Sequence, residues 1–161
     1  MKEITYRPIG IIHTPNKKIQ GTPIQGPAAR EIAGEVEIFP EYINGLKDLD
    51  GFSHIFLLYH FHLTKNPKLI VKPFLDDKMH GLFATRAPSR PNSIGISVVE
   101  LIKIEKNILH VKNVDIIDKT PLLDIKPFVA DFNLKNKEVK IGWLEKNVHK
   151  MEKMKDDGRF L

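Results

Sequence analysis

Apolar residues recur in this chain mostly with a period of two, in short runs set off by Gly, Pro and Asn. That period sends successive side chains to opposite faces of an extended strand, so the pattern predicts a mainly β fold of antiparallel strands. The predicted strands cover Ile4–Thr14, Gly34–Phe39, Ser53–His62, Leu69–Phe74, Ile94–Ile104 and Ile108–Val114. Lys106-Asn107 separates the last two, which makes them a hairpin with a tight connection. Along Ser53–His62 one face carries His54, Phe56, Leu58, His60 and His62, and the other carries Ser53, Ile55, Leu57, Tyr59 and Phe61. Both are largely apolar. Such a strand is central, with the barrel interior on one side and a second layer or a partner subunit on the other. The alternation Ile94, Ile96, Val98, Glu100, Ile102, Ile104 sets Glu100 on an apolar face, where a carboxylate needs a partner such as an Arg.

Two segments depart from the strand period. Pro40–Asp50 predicts one short helix with Pro40 near its start. In Ile141–Lys155 the spacing of Ile141, Leu144, Val148 and Met151 predicts a longer amphipathic helix packed on the barrel or on a partner. Residues 1–135 then make the barrel domain, and residues 136–161 a linker and C-terminal helical extension.

A length of 161 residues supports one domain with a real core, and 42% hydrophobic with 28% charged residues is the balance of a soluble globular protein. The absence of cysteine excludes a disulfide framework, a thiolate metal site and a Cys nucleophile, and suits a reducing compartment. No apolar run approaches the ~20 residues of a membrane span. The opening MKEITYRPIG lacks the apolar centre of a secretory signal. The expected location is cytoplasmic. Lys and Arg number 25 against 20 Asp and Glu, a net charge of +5. That suits a polyanionic partner such as RNA, and suits a solubilising Lys/Glu surface as well.

Candidate chemistry concentrates in loops. Phe83-Ala84-Thr85-Arg86-Ala87-Pro88-Ser89-Arg90-Pro91-Asn92-Ser93-Ile94-Gly95 holds two Arg among prolines. Proline restricts the backbone, and Arg offers a planar fork of donors matched to carboxylate or phosphate. Asp115-Ile116-Ile117-Asp118-Lys119-Thr120-Pro121, closed by Asp124-Ile125-Lys126-Pro127, gathers carboxylates and a hydroxyl at a strand end. Gly21-Thr22-Pro23-Ile24-Gln25-Gly26-Pro27 sets a lone Gln between prolines. His54, His60 and His62 share a strand face and are conceivable zinc ligands, but no HExxH or other ligand spacing accompanies them, so no metal site is assigned.

In order, Ile9-Gly10-Ile11-Ile12-His13-Thr14-Pro15 with Pro23-Ile24-Gln25, Leu49-Asp50-Gly51-Phe52-Ser53-His54 leading to Phe61-His62, Gly81 to Gly95, and Asp118-Lys119-Thr120-Pro121 with Asp124-Ile125-Lys126-Pro127 resemble the motifs of the TrmO, or TsaA-like, family. The resemblance covers roughly residues 4–131. It implies a homodimeric β-barrel methyltransferase that uses S-adenosyl-L-methionine, with tRNA as partner and N6-threonylcarbamoyladenosine beside the anticodon as substrate. Carried over by position, cofactor contacts fall to Pro23, Ile24, Gln25, Phe61, His62, Arg86, Ile96, Asp118, Lys119, Thr120 and Pro121. Arg90 and Asn92 are assigned to the substrate, and His62 or Asp118 to removal of the N6 proton. Lys119 stands where the family motif commonly has Gly, and the chain carries the Ile141–Lys155 segment in place of the separate C-terminal domain of longer members. A non-catalytic RNA- or ligand-binding barrel, a metal-dependent hydrolase built on His54, His60 and His62, and a family member with another substrate are the alternatives.

Overall fold

A computed structural model describes residues 3–130 and 139–160. Six antiparallel strands close into a barrel: β1 (Gly10–His13), β2 (Ala33–Ile38), β3 (His54–His60), β6 (Ile94–Glu105), β7 (Ile108–Lys112) and β8 (Thr120–Pro127), in the spatial order β1-β2-β7-β6-β3-β8. A two-stranded ribbon of β4 (Ile70–Val71) and β5 (His80–Gly81) stands beside it. Closure removes the unpaired edges that an open sheet would expose.

Alternation decides which side chains fill the barrel. Ile12, Val36, Ile38, Ile55, Leu57, Val99, Leu109, Val111 and Leu122 are buried in one continuous core. Between them in sequence, Glu35, Glu37, His110 and Lys112 lie outside that core, matching the polar half of a period-two pattern. β3 sits between β6 and β8 as a central strand. Its inner face carries Ile55, Leu57 and Tyr59; on the outer face the Phe128 ring packs edge-on to His54 and Phe56 and supplies part of the second layer. The β6–β7 hairpin turns at Lys106-Asn107, where Lys106 takes φ +56° and the Asn107 side-chain amide donates to Ile38 O.

Several expectations need correction. The segment Ile141–Lys155 is not one amphipathic helix. It forms two 3-10 segments, Gly142–Lys146 and Val148–Lys153, broken at Asn147, and it follows the barrel surface through tertiary contacts. Gly142 has φ +59°, a conformation that ends a helix rather than starting one. The linker predicted ahead of it falls largely outside the described residues. Thr120–Pro127 is a full strand, hydrogen-bonded between β1 and β3; its two prolines and polar Asp124 and Lys126 concealed it as a turn. Ile4–Thr14 shrinks to Gly10–His13 and Leu69–Phe74 to Ile70–Val71. Pro40–Asp50 holds two 3-10 turns, Pro40–Leu46 and Leu49–Gly51, with Pro40 in the first turn as expected. Glu100 lies on the outer face and is only half-buried; its basic cross-strand neighbour is Lys112, not an Arg.

Candidate active site

Antiparallel pairing brings the end of β3, the start of β6, the end of β7 and the start of β8 to the same mouth of the barrel. Three irregular segments cross this mouth and enclose a cavity of about 780 Å3. The first, Ile19 to Pro27, is held open by proline and by Gly21 at φ +87°. The second runs from Pro73 to Arg90 and the third from Trp143 to Phe160. Lys155 bridges to Pro23, Asp156 N–H donates to Thr22 O, and Gly21 N–H donates to Asp156 O, so the third segment clamps the first. A small satellite core of Val71, Leu82, Ala87 and Phe160, with Phe74 edge-on to Phe160, fixes the third segment to the second.

The cavity is largely apolar, with a few polar groups in its lining. Arg86 Nη1 donates to Gln25 Oε1 at 2.8 Å, joining two loops 61 residues apart in sequence. Below them lies a buried chain of hydroxyl and carboxyl groups. Tyr59 Oη is 3.1 Å from Ser97 Oγ, and Ser97 Oγ donates to Asp115 Oδ1 at 2.6 Å. Burial pushes the Asp115 carboxyl above its ordinary value; the Ser97 hydroxyl, backbone N–H groups and the Arg86 charge oppose this without cancelling it. Burial likewise raises the Tyr59 phenol, and Asp115 adds to the effect.

Gly95 makes this packing possible. It pairs directly with Tyr59 across β3–β6, and a Cβ there would overlap the tyrosine ring. His62 stands at the cavity wall with Nδ1 3.4 Å from Thr120 Oγ1. Burial lowers its pKa and the neighbouring His60 lowers it further, so the imidazole is neutral at pH 7 and able to accept a proton.

Of the residues picked from sequence, Pro23, Ile24, Gln25, Phe61, His62, Arg86, Arg90, Ile96 and Thr120 line this one cavity. Asp118, Lys119, Pro121 and Asn92 do not line it. Asp118 and Lys119 face a second hollow beside His13, Lys17 and His110. Partial burial would raise the Asp118 carboxyl, but Lys17 Nζ at 2.6 Å and the Thr14 N–H outweigh it, and the group stays below the usual carboxylate range. Such a locked anion is a poor proton acceptor. Lys119 holds φ +60°, so the turn keeps the left-handed backbone that the usual Gly would adopt freely. Pro121 sits in β8 opposite Ile11, and Asn92 is exposed. Arg90 donates from Nη1 to the carbonyls of Thr85 and Ala87, which braces its own loop. Among the described residues no group of three His, Cys, Asp or Glu could hold a metal ion, and His54 is engaged with Ser53 Oγ at 2.9 Å.

Sequence reasoning missed the Tyr59–Ser97–Asp115 chain and the whole third wall, including Trp143, Asp156 and Phe160. A usable signal existed for the wall: two isolated aromatics, Trp143 and Phe160, in an otherwise Lys/Glu-rich tail.

Residues 11–134 match the family of the tRNA-methyltransferase O N-terminal domain. The chain belongs to that family. It is 59% identical over 157 residues to a probable S-adenosyl-L-methionine-binding protein of Pyrococcus abyssi, covering 98% of this chain and 85% of that one. A tRNA (adenine(37)-N6)-methyltransferase of Mus musculus is 42% identical over 101 residues, 60% of this chain and 23% of the mouse protein. The crystal structure of TrmO from Pseudomonas aeruginosa superposes with a TM-score of 0.73 at 32% identity, over 88% of this chain and 63% of that chain. The present chain therefore spans a little under two thirds of the solved TrmO chain, and the matched family domain stops before the third wall of the cavity begins.

Proposed function

We propose that this chain is an S-adenosyl-L-methionine-dependent methyltransferase that methylates N6 of threonylcarbamoyladenosine next to the tRNA anticodon. One observation carries the reading: motif residues as far apart as Pro23, His62, Arg86 and Thr120 converge on one cavity. Its volume lies within the range of pockets that enclose nucleoside-sized ligands, and its mix of apolar walls with a few fixed polar groups is that of a cofactor site. Arg86, oriented by Gln25, is placed to hold the donor's carboxylate, while Pro23, Ile24, Phe61 and Ile96 form its apolar bed.

When bound, the sulfonium donor supplies an electrophilic methyl group, and the difficult chemistry is the cofactor's own. The protein's task is alignment and exclusion of water. The acceptor N6 is acylated and its electron pair is delocalised into the carbonyl, so the nitrogen is a poor nucleophile until its proton leaves. Neutral His62 is the group of the cavity wall suited to take that proton. The chain works as a homodimer in the cytoplasm; Ile102 on the outer face of β6, beyond the cavity-lining Ile94 and Ile96, is exposed apolar surface for a second copy to cover.

Calorimetry with the purified chain tests the donor site. Wild type is expected to bind S-adenosyl-L-methionine, and Arg86→Ala to weaken binding at least tenfold, about 1.4 kcal/mol. Unchanged affinity would remove Arg86 from the site. Mass spectrometry of tRNA nucleosides from a deletion strain tests the acceptor: an unaltered N6-methyl-threonylcarbamoyladenosine level would transfer the activity to another substrate.

A further inference from the structure

We infer that Phe83 and Trp143, at the mouth of the cavity, form the stacking platform for the acceptor's purine base. This rests on the reading of the chain as an RNA methyltransferase, and adds where the acceptor lies. Phe83 is 76% exposed, more than any other large apolar side chain among the described residues. It is nonetheless held in place. Leu82 before it is buried, Thr85 N–H donates to Leu82 O, and the Arg90 guanidinium lies over its ring at 5.9 Å from the centroid. A fixed, solvent-facing ring beside a guanidinium is a surface for another flat ring.

Trp143 comes from the third wall, outside the matched family domain, and is oriented by the same loop. Its indole N–H donates to Ala84 O at 2.9 Å, one residue after Phe83, and its ring stacks on His80 at 4.5 Å. Both aromatics line the cavity that also contains Arg86 and Arg90. Aromatic faces beside an arginine are what an unpaired base on a phosphodiester requires: the rings take the base, and Arg90, whose Nη1 alone is used in bracing its loop, turns its remaining donors to the anionic backbone. A helical or fully stacked base would not reach a donor inside the cavity, so the ligand is a single-stranded, splayed-out purine.

Trp143 is the chain's single tryptophan and reports on the mouth directly. An anticodon stem-loop RNA containing the acceptor adenosine is titrated into protein saturated with S-adenosylhomocysteine, following tryptophan fluorescence. Wild type should be quenched saturably. By RNA anisotropy, Phe83→Leu and Trp143→Ala should each weaken RNA binding at least fivefold, Trp143→Phe should restore most of the loss, and calorimetric affinity for S-adenosyl-L-methionine should stay within twofold. Wild-type RNA affinity in Phe83→Leu, a surface change that leaves the fold intact, would overturn the platform and leave the methyltransferase reading standing. Donor binding by wild type with no RNA binding at all would overturn it too. RNA binding that depends on Phe83 in a chain with no donor affinity would support the platform and sink the proposed activity instead.

Discussion

Replacing Gly95 by Ala adds one methyl group at the floor of the cavity, where the structure leaves no room for it. The new Cβ would sit 2.5 Å from Tyr59 Cζ, 2.9 Å from Phe61 Cζ, and closer still to Tyr59 Cε2. Tyr59 cannot retreat freely. It is 6% exposed, sits edge-on to Phe61, and is hydrogen-bonded through Ser97 to Asp115. Overpacking of a filled site costs about 1–3 kcal/mol, and displacing the phenol from Ser97 adds about 1 kcal/mol. For a domain of this size each kcal/mol moves the midpoint by about 2–4 °C. A loss of about 3 kcal/mol therefore lowers Tm by about 6–12 °C, measured by scanning calorimetry at neutral pH. Gly45→Ala is the control, since nothing lies within 4 Å of a Cβ there, and its Tm should stay close to that of wild type. The clash is with the ring, so in a Tyr59→Leu background the cost of Gly95→Ala should shrink by about 1 kcal/mol or more. A Gly95→Ala protein that melts with wild type would refute the account of how the cavity floor is packed.

Three further outcomes follow from the site. Asp115 has a raised pKa in the folded state, so as pH climbs past the ordinary carboxylate range the unfolded chain ionises first and the native state loses ground. Asp115→Asn keeps an acceptor for Ser97 and cannot ionise; its Tm advantage over wild type should grow from pH 4 to pH 7, and a constant gap would contradict the burial argument. Lys119→Gly relieves a left-handed lysine worth about 1–2 kcal/mol against about 0.5–1 kcal/mol of chain entropy, so urea denaturation should find stability unchanged or up to about 1.5 kcal/mol higher. Lys119→Val, β-branched at φ +60°, should be less stable than wild type. With His62 as proton acceptor, the rate should fall only on the acid side, below the ordinary histidine pKa of about 6.5; His62→Ala should lose about 10²-fold and that acid limb with it. An identical acid limb in the variant would acquit His62.

The sequence by itself determined the strands whose apolar residues alternate. Val36 and Ile38 of β2 and Leu109 and Val111 of β7 must face one way, because a strand has only two faces and one of them must leave water. It also determined the loops rich in Arg, Pro and Gln, since such residues have no other use for a core. What it left undecided depended on partners distant in the chain. Thr120–Pro127 reads as a turn, and becomes a strand only because β1 and β3 supply its hydrogen bonds. The helical spacing of Ile141–Lys155 gave way to 3-10 turns because the contacts of Trp143 to Ala84, Glu152 to Arg30 and Lys155 to Pro23 outweigh the modest gain of an isolated helix. Asp118 and Asp115 are three residues apart and alike in composition. Only the tertiary structure, by placing Lys17 beside one and burying the other against Ser97, pushed the first carboxyl below the ordinary carboxylate range and the second above it.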